Sequence, residues 1–147
     1  MKLSTKGRYG TRAMLDLALH LGEGPIQLRD IASRQQLSER YLEQLVLTLK
    51  AGGLLKSIRG AKGGFTLSKP PSEIKLIDIV QTLEGAICPV ACIDDPESCS
   101  RVDECVTRDI WGDLGRAMTQ VLESQTLQDL VTRHKEKEQT KKAMYYI

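Results

Sequence analysis

The sequence contains no apolar run that approaches the length of a membrane-spanning helix, about 18 residues or more. Its first residues, MKLSTKGRYG, lack the apolar core of a secretory signal, so a cytoplasmic protein is expected. It has only two histidines, His20 and His134, and no arrangement typical of a Ser/His/Asp or Cys/His catalytic site. Glycine-rich loops that bind dinucleotides or phosphates are also missing, so the sequence argues against an enzyme.

Cysteine is absent except in one segment, CPVACIDDPESCSRVDEC, which holds all four: Cys88, Cys92, Cys99 and Cys105. In a cytosolic protein such a cluster indicates metal or redox chemistry rather than structural disulfides. The spacing C-x3-C-x6-C-x5-C has neither the paired C-x2-C knuckles of a zinc ribbon nor the cysteine run of plant-type ferredoxins. The spacing alone therefore predicts a metal-binding or redox loop and leaves the metal open.

Charge is divided unevenly within a chain whose composition is that of a soluble globular domain. Hydrophobic residues make up 41%, charged residues 27%, and the net charge is only +2. Residues 1–70 carry 12 Lys and Arg against 5 Asp and Glu, whereas residues 71–147 carry 9 against 14. A basic half can lie against phosphates while an acidic half stays away from them, which favours a nucleic-acid partner over plain surface charge.

The N-terminal half has the pattern of a helix-turn-helix. Apolar residues between Met14 and Leu21 follow a helical period, which predicts a helix over 5–21 capped by Ser4 or Thr5. After the breaker GEGP, a short helix is predicted over 28–34, followed by a turn at 35–37. Ser38 is a good N-cap for a third helix, which Gly52 and Gly53 end. In such a motif the last helix enters the major groove of DNA.

A β-hairpin is predicted directly after this recognition helix. Residues 54–69 read as two short alternating strands around RGAKGG, where glycines supply the positive φ angles of the turn. A hairpin at this position is a wing, and Arg59 at its tip suits a narrow minor groove. The residues predicted to contact DNA lie on the wing, on the recognition helix and around the first helix: Arg59, Lys62, Ser38, Arg40, Tyr41, Glu43, Lys2, Lys6 and Arg8.

The C-terminal half is predicted to hold a dimerisation helix. Residues 76–85 read as a short connecting helix, and residues 102–124 as a long helix with an apolar stripe from Val106 to Leu122. Since so long a helix needs a partner surface, a two-fold mate is expected, and a dimer places two recognition helices about one turn of DNA apart. The charged stretch 132–147 has no apolar stripe and is expected to be a loose tail or a frayed helix.

Several of these motifs together, in order, resemble the family of IscR-type iron–sulfur regulators, which are dimeric winged-helix proteins. The resemblance is carried by MKLSTKGRYGTRAMLDLALHLGEGPIQLRDIA, SERYLEQLVLTLKAGGLL, SIRGAKGGFTLSK, LIDIVQTLEG and ECVTRDIW, and covers roughly residues 1–132. It implies a homodimer that reads a palindromic operator in double-stranded DNA. It also implies that Arg59 enters the minor groove and that Glu43 tunes the choice of site.

The resemblance further implies a 2Fe–2S cluster bound by Cys92, Cys99 and Cys105. Family members take a fourth ligand from a histidine three residues after the last cysteine, or from an aspartate of the partner's first helix. Arg108 and Arg8 occupy those places here, and a guanidinium is never deprotonated and so cannot bind the metal. Cys88 is the candidate for the fourth ligand, with a carboxylate or a backbone group as the alternative.

The expected fold class is mostly α, with a winged helix-turn-helix, a small β-hairpin wing and a long dimerisation helix. The expected divisions are a DNA-binding domain at 1–85, a cluster-binding loop at 86–105, a dimerisation region at 106–132 and a charged tail at 133–147. The expected function is a transcriptional repressor that senses iron–sulfur, redox or iron status. A regulator whose cysteines bind zinc or act as a thiol switch, and a protein-binding module without DNA affinity, remain alternatives.

Overall fold

The first three helices form a helix-turn-helix unit in the structure, a computed structural model that describes residues 2–146. They are α1 (Thr5–Leu19), α2 (Leu28–Gln35) and α3 (Glu39–Ala51). The turn between α2 and α3 is tight because Gln36 adopts the left-handed conformation, with a φ of 55°. The predicted caps are confirmed: Ser4 accepts a hydrogen bond from the Lys6 N–H, and Ser38 accepts one from the Tyr41 N–H.

Helix α1 is shorter than predicted, because it ends at Leu19 rather than Leu21. The backbone N–H of His20 closes the last turn on the Asp16 carbonyl, and Gly22 then turns the chain with a φ of 92°. Leu21 consequently leaves the apolar stripe and is exposed, whereas Leu17 lies buried in the core.

The predicted wing is present as the antiparallel strands β1 (Leu55–Ile58) and β2 (Gly64–Leu67). Leu55 pairs with Leu67 at the base, and Ile58 pairs with Gly64 next to the turn. Ile26, before α2, adds a short bridge to Phe65 through two backbone hydrogen bonds of 2.8 and 3.0 Å. This bridge ties the wing to the helix-turn-helix unit.

The core is built mainly by α1, α2 and α3, but the chain returns to it after residue 126. Helix α4 (Leu76–Glu84) packs on α1 and α3, and the first turns of α7 (Leu127–Tyr145) pack on α1. The largest fully buried apolar side chains come from all of these parts: Met14, Ile31, Leu42, Val46, Leu49, Ile74, Ile79 and Leu127. The unit around this core therefore extends beyond residue 85.

The last turn of α4 packs against glycines of α1 and of the end of α3. An added Cβ at Gly10 would overlap Leu83, and one at Gly52 would overlap Thr82. At the end of the same turn, Glu84 Oε1 accepts hydrogen bonds from the backbone N–H groups of Ser4 and Gly7, both at 3.0 Å. The carboxylate thus caps the positive end of α1 from a distant part of the chain.

The long helix α6 begins later than predicted and runs from Val106 to Glu123. Residues 101–104 form turns, and Cys105 occupies the N-cap position. Between α4 and α6 the chain forms only the short helix α5 (Ala91–Asp94) and a 3-10 turn at Pro96–Ser98. None of the helices within residues 2–146 combines the length and apolar character needed to cross a membrane.

The charged C-terminal stretch, expected as a loose tail or a frayed helix, continues α7 as far as Tyr145. A reciprocal capping box between Thr126 and Asp129 starts this helix. The hydrogen bonds of Thr126 hold the pKa of Asp129 below its ordinary value. Beyond this start, residues 127–146 contain no glycine or proline and many good helix formers, so an apolar stripe is not needed for helical structure.

Candidate nucleic-acid interface and cysteine loop

The start of α3 presents the polar residues that were predicted to read DNA. Ser38 caps the helix, and Arg40 and Glu43 are exposed within its first turns. Their side chains are free to reach base edges or phosphates, since the buried stripe of α3 lies on the other side, at Leu42, Leu45, Val46 and Leu49.

Tyr41 is the exception among these residues, because it is half-buried and joins α3 to α1. Its hydroxyl lies 3.0 Å from Thr5 Oγ1, and its ring meets the Tyr9 ring edge-on, with centroids 6.1 Å apart and an interplanar angle of 90°. This contact fixes the N-terminal end of the recognition helix beside the N-terminal half of α1. Arg8 is exposed next to it, and Lys2 and Lys6 are exposed at the beginning of the same segment.

A buried carboxylate holds α1 and α2 together. Asp16 is 2% exposed and receives hydrogen bonds from Arg34 Nη2 at 2.6 Å, Arg34 Nε at 3.0 Å and Gln35 Nε2 at 3.0 Å. These bonds to Asp16 raise the pKa of the Arg34 guanidinium above its ordinary value. Arg12 extends the network outwards, because its Nε donates to Gln35 Oε1 at 3.1 Å and its Nη2 donates to the Gln35 carbonyl. The network fixes the first helix of the helix-turn-helix motif on α1.

The wing exposes both of its predicted basic residues. Arg59 and Lys62 lie in the turn between β1 and β2, where Gly60 has a φ of 117°. Gly63 is buried at the same turn, and its N–H donates to the Gly60 carbonyl at 3.0 Å. An added Cβ at Gly63 would overlap the backbone oxygen of Ile58, so the turn that presents Arg59 requires glycine there.

Substitution of Gly63 by alanine is expected to distort the wing. Because the overlapping atom belongs to the backbone, the turn must shift, at a cost of about 1–3 kcal/mol. We expect a lower melting temperature and weaker binding to a DNA duplex, measured by differential scanning fluorimetry and fluorescence anisotropy. Ala61→Ser, at an exposed position of the same turn, is the matched control. Wild-type values for both measurements in G63A would show that the wing adapts without cost.

The four cysteines occupy different environments along the loop. Cys99 is exposed, whereas Cys88, Cys92 and Cys105 are partly exposed, and all four are free thiols. Cys88 donates its S–H to the Val90 carbonyl at 2.8 Å. At the start of α6, a hydrogen bond with the Thr107 hydroxyl and then the Arg108 N–H hold the pKa of the Cys105 thiol below its ordinary value.

The first part of the loop rests on α6. An added Cβ at Gly115 would come within 3.1 Å of Pro89, and one at Gly112 within 3.7 Å of Ile93, so small residues on α6 admit the loop. Arg108 reaches back from α6, and its Nε donates to the Cys92 carbonyl at 3.1 Å. Arg108 cannot bind a metal itself, but it anchors the backbone of the loop at Cys92, one of the predicted ligands.

Residues 3–133 match the sequence profile of the family described as Rrf2, iron-dependent transcriptional regulator. The chain belongs to the Rrf2 family. It is 47% identical over 132 residues to the HTH-type transcriptional regulator CymR of Bacillus subtilis, which covers 90% of this chain and 91% of CymR. The HTH-type transcriptional regulator IscR of Photorhabdus laumondii is 42% identical over 131 residues, which are 89% of this chain and 79% of that protein.

Solved structures of Rrf2 proteins confirm the predicted fold class. CymR, described as the global cysteine regulator of B. subtilis, superposes with a TM-score of 0.76 and 45% identity, over 90% of this chain and 98% of CymR. IscR of T. potens gives a TM-score of 0.78 and 45% identity, over 92% of this chain and 90% of that one. The protein is thus a DNA-binding winged-helix transcriptional regulator and, as the sequence predicts, not an enzyme.

The thiols of the cysteine loop are chemically suitable ligands for an iron–sulfur cluster, but their sulfur atoms do not lie together in the structure. Within residues 2–146, no three side chains of His, Cys, Asp or Glu lie together closely enough to share a metal ion. The loop consists of partly or fully exposed thiols on short turns, so its conformation can change without uncovering a core. Ligation therefore requires the loop to close around the metal.

Two residues of this region, Tyr9 and Glu84, were not predicted from the sequence. Tyr9 was not singled out, although an aromatic residue between Arg8 and Arg12 on a basic helix is visible in the sequence. Glu84 fits the pattern of the connecting helix, and its role in capping α1 follows from a contact between residues 80 positions apart. No local pattern indicates such a contact.

Proposed function

We propose that this Rrf2 regulator is a homodimeric repressor that senses iron–sulfur, redox or iron status through a 2Fe–2S cluster in its cysteine loop. The observation that carries the proposal is the course of the loop: it leaves α4, which caps α1, rests on α6 and ends at the N-cap of α6. A change in the conformation of the cysteine loop can therefore alter the positions of both the helix-turn-helix unit and the long helix α6.

In this proposal the start of α3 enters the major groove. Ser38, Arg40 and Glu43 face base edges and adjacent phosphates, with Glu43 selecting among sites. Arg59 enters the minor groove beside it, supported by Lys62. Lys2, Lys6 and Arg8 add phosphate contacts that fix the register of the protein on the duplex.

The dimer interface in this proposal is the exposed face of α6. Val106 is 76% exposed, Ile110 59%, Trp111 39% and Val121 63%. The helical period places most of these apolar side chains in one stripe. A stripe of large apolar side chains on the surface of a single chain is favourable only when another surface covers it. A second copy in two-fold symmetry would cover it and would present two recognition helices to a palindromic operator.

The proposed ligands are Cys92, Cys99 and Cys105, with Cys88 as the fourth. When bound, the cluster would supply a redox-active iron centre that joins these four thiolates. The loop also carries negative charge between the proposed ligands in the sequence, at Asp94, Asp95, Glu97, Asp103 and Glu104. Arg108 holds the Cys92 carbonyl on α6 and so orients the loop relative to the dimer helix.

A thiol switch or a zinc site is the second candidate for the cysteines. It is supported by the similarity to CymR, which is described as the global cysteine regulator of B. subtilis. The lowered pKa of Cys105 also favours its thiolate, which is the form that reacts with oxidants and binds zinc.

Anaerobic reconstitution with iron and sulfide tests the ligand set. We expect about two iron and two sulfide ions per chain in the wild type, with visible charge-transfer bands. Cys92→Ala, Cys99→Ala and Cys105→Ala should each abolish the bands, because each removes a thiolate ligand. Cys88→Ala should weaken them, and Ser100→Ala, at an exposed position in the same loop, should leave them intact.

Full bands in the Cys88 variant would move the fourth ligand to a carboxylate or a backbone group. A wild type that takes up no iron, but binds zinc or forms a disulfide after peroxide treatment, would replace the cluster with the second candidate. Metal analysis and the mass of thiol-alkylated peptides distinguish zinc from a disulfide.

A further inference from the structure

The ring of Tyr9 lies next to two guanidinium groups. The Cζ atom of Arg8 is 5.5 Å from the ring centroid and that of Arg12 is 5.3 Å from it. Both distances fall within the roughly 6 Å range of cation–π attraction. The same ring contacts Tyr41 of α3 edge-on, so Tyr9 links the two arginines to the start of the recognition helix.

The two arginines are not neutralised by the protein. Among residues 2–146, no carboxylate lies within ion-pair distance of Arg8 or Arg12, and the first turn of α1 contains no acidic residue. Like charges four residues apart on a helix are unfavourable by about 0.2–0.5 kcal/mol. Lys6 adds a further cation near the positive end of α1, where cations are also unfavourable. The attraction to the Tyr9 ring and the hydrogen bonds of Arg12 to Gln35 offset part of this repulsion, and a bound anion would offset more of it.

Arg12 is also held in one orientation before any ligand arrives. Its Nε and Nη2 donate to Gln35, whose amide donates to the buried carboxylate of Asp16 at 3.0 Å. One terminal nitrogen, Nη1, has no bond in this network and remains for a ligand. An anchored guanidinium loses less conformational entropy on binding than a free one, which strengthens a contact without adding charge.

We infer that Tyr9 is a positioning residue for a phosphate clamp formed by Arg8 and Arg12, which grips the DNA backbone beside the start of α3. The inference rests on DNA binding by this chain. Tyr9 does not contact DNA in this arrangement, but holds both guanidinium groups at a fixed place relative to Tyr41. Since backbone contacts set the register of a recognition helix, the clamp determines which bases Arg40 and Glu43 face.

The test uses the full-length protein and a mixed-sequence DNA duplex about three helical turns long, because phosphate contacts do not require the operator. Binding is measured by fluorescence anisotropy over a range of KCl concentrations. We expect Tyr9→Leu to weaken binding about tenfold and to reduce the slope of log K against log salt by about 1. Tyr9→Phe should retain both wild-type values, because the aromatic face is unchanged.

Further variants separate positioning from stability. Arg8→Ala and Arg12→Ala should each reduce the slope, whereas Arg116→Ala, whose charge is paired with Asp113 on α6, should not. In the R8A/R12A background, Y9L should cause no additional loss. A Y9L variant with an unchanged slope, or one that weakens binding equally in that background, would overturn the inference. A wild type without salt-dependent affinity would instead refute DNA binding itself.

Discussion

Arg34→Met is expected to lower the free energy of unfolding by about 3–5 kcal/mol. The substitution keeps the apolar stem but removes the guanidinium, and Asp16 would remain as a buried carboxylate, 2% exposed, with Gln35 as its main side-chain donor. The imidazole of His20 also lies nearby, with its Nδ1 3.7 Å from Asp16 Oδ1. Thermal unfolding at fixed protein concentration should show a melting temperature about 10–15 °C lower.

A double-mutant cycle distinguishes the ion pair from general packing. In R34M/D16L both charges are removed, so we expect the double variant to be more stable than R34M alone. Arg29→Met, at an exposed position of α2, is the matched control and should change the melting temperature little. If the double variant shows the sum of the two single losses, Asp16 and Arg34 are not coupled and this account of the network fails.

Ile110→Asp is expected to convert the proposed dimer into a folded monomer. Ile110 is 59% exposed in the N-terminal part of the apolar stripe of α6, so a carboxylate there would be buried unpaired at the proposed interface. A monomer places one recognition helix on DNA at a time, and the loss of the second contact should weaken binding to the duplex by about a hundredfold or more. Light scattering after size-exclusion chromatography gives the mass, and anisotropy gives the affinity.

Leu21→Asp is the matched control for this experiment. Leu21 is also a large exposed apolar residue, but it lies after α1 and outside the stripe. We expect it to leave mass and affinity unchanged. A dimeric I110D protein would move the interface away from this face of α6, and a monomeric wild type would exclude the proposed assembly.

Local patterns were sufficient to predict most of the winged-helix half. Ser4 and Ser38 are caps, Gly60 and Gly64 have the positive φ angles expected of the turn, and the stripe of α3 is buried as its period predicts. The predicted end of α1 was less accurate. The apolar period continues to Leu21, but the helix ends at Leu19, where the His20 N–H closes the last turn before Gly22.

The features that local patterns did not predict depend on contacts between distant residues. Asp16 is a charged residue on a buried helix face, and only the fold shows that Arg34 and Gln35 satisfy it. The chemistry of Arg108 excludes it as a metal ligand, but its hydrogen bond to the Cys92 carbonyl depends on the packing of the loop on α6. The sequence left the end of α7 open between a loose tail and a frayed helix, because a missing apolar stripe is evidence about packing and not about helix propensity.

The glycine-mediated approach of α4 to α1 and α3 has a thermodynamic consequence. Leu83 and Glu84 are in direct contact with α1, and Gly85 then leads into the cysteine loop. The end of α4 therefore connects the loop directly to the DNA-binding unit. If closing the loop changes DNA affinity by a given factor, DNA must change the affinity of the loop for its ligand by the same factor. A tenfold effect corresponds to about 1.4 kcal/mol in each direction. Operator DNA would then change the affinity of the cysteine loop for its ligand. The fraction of protein bound to the operator would therefore influence how readily the loop binds or releases that ligand.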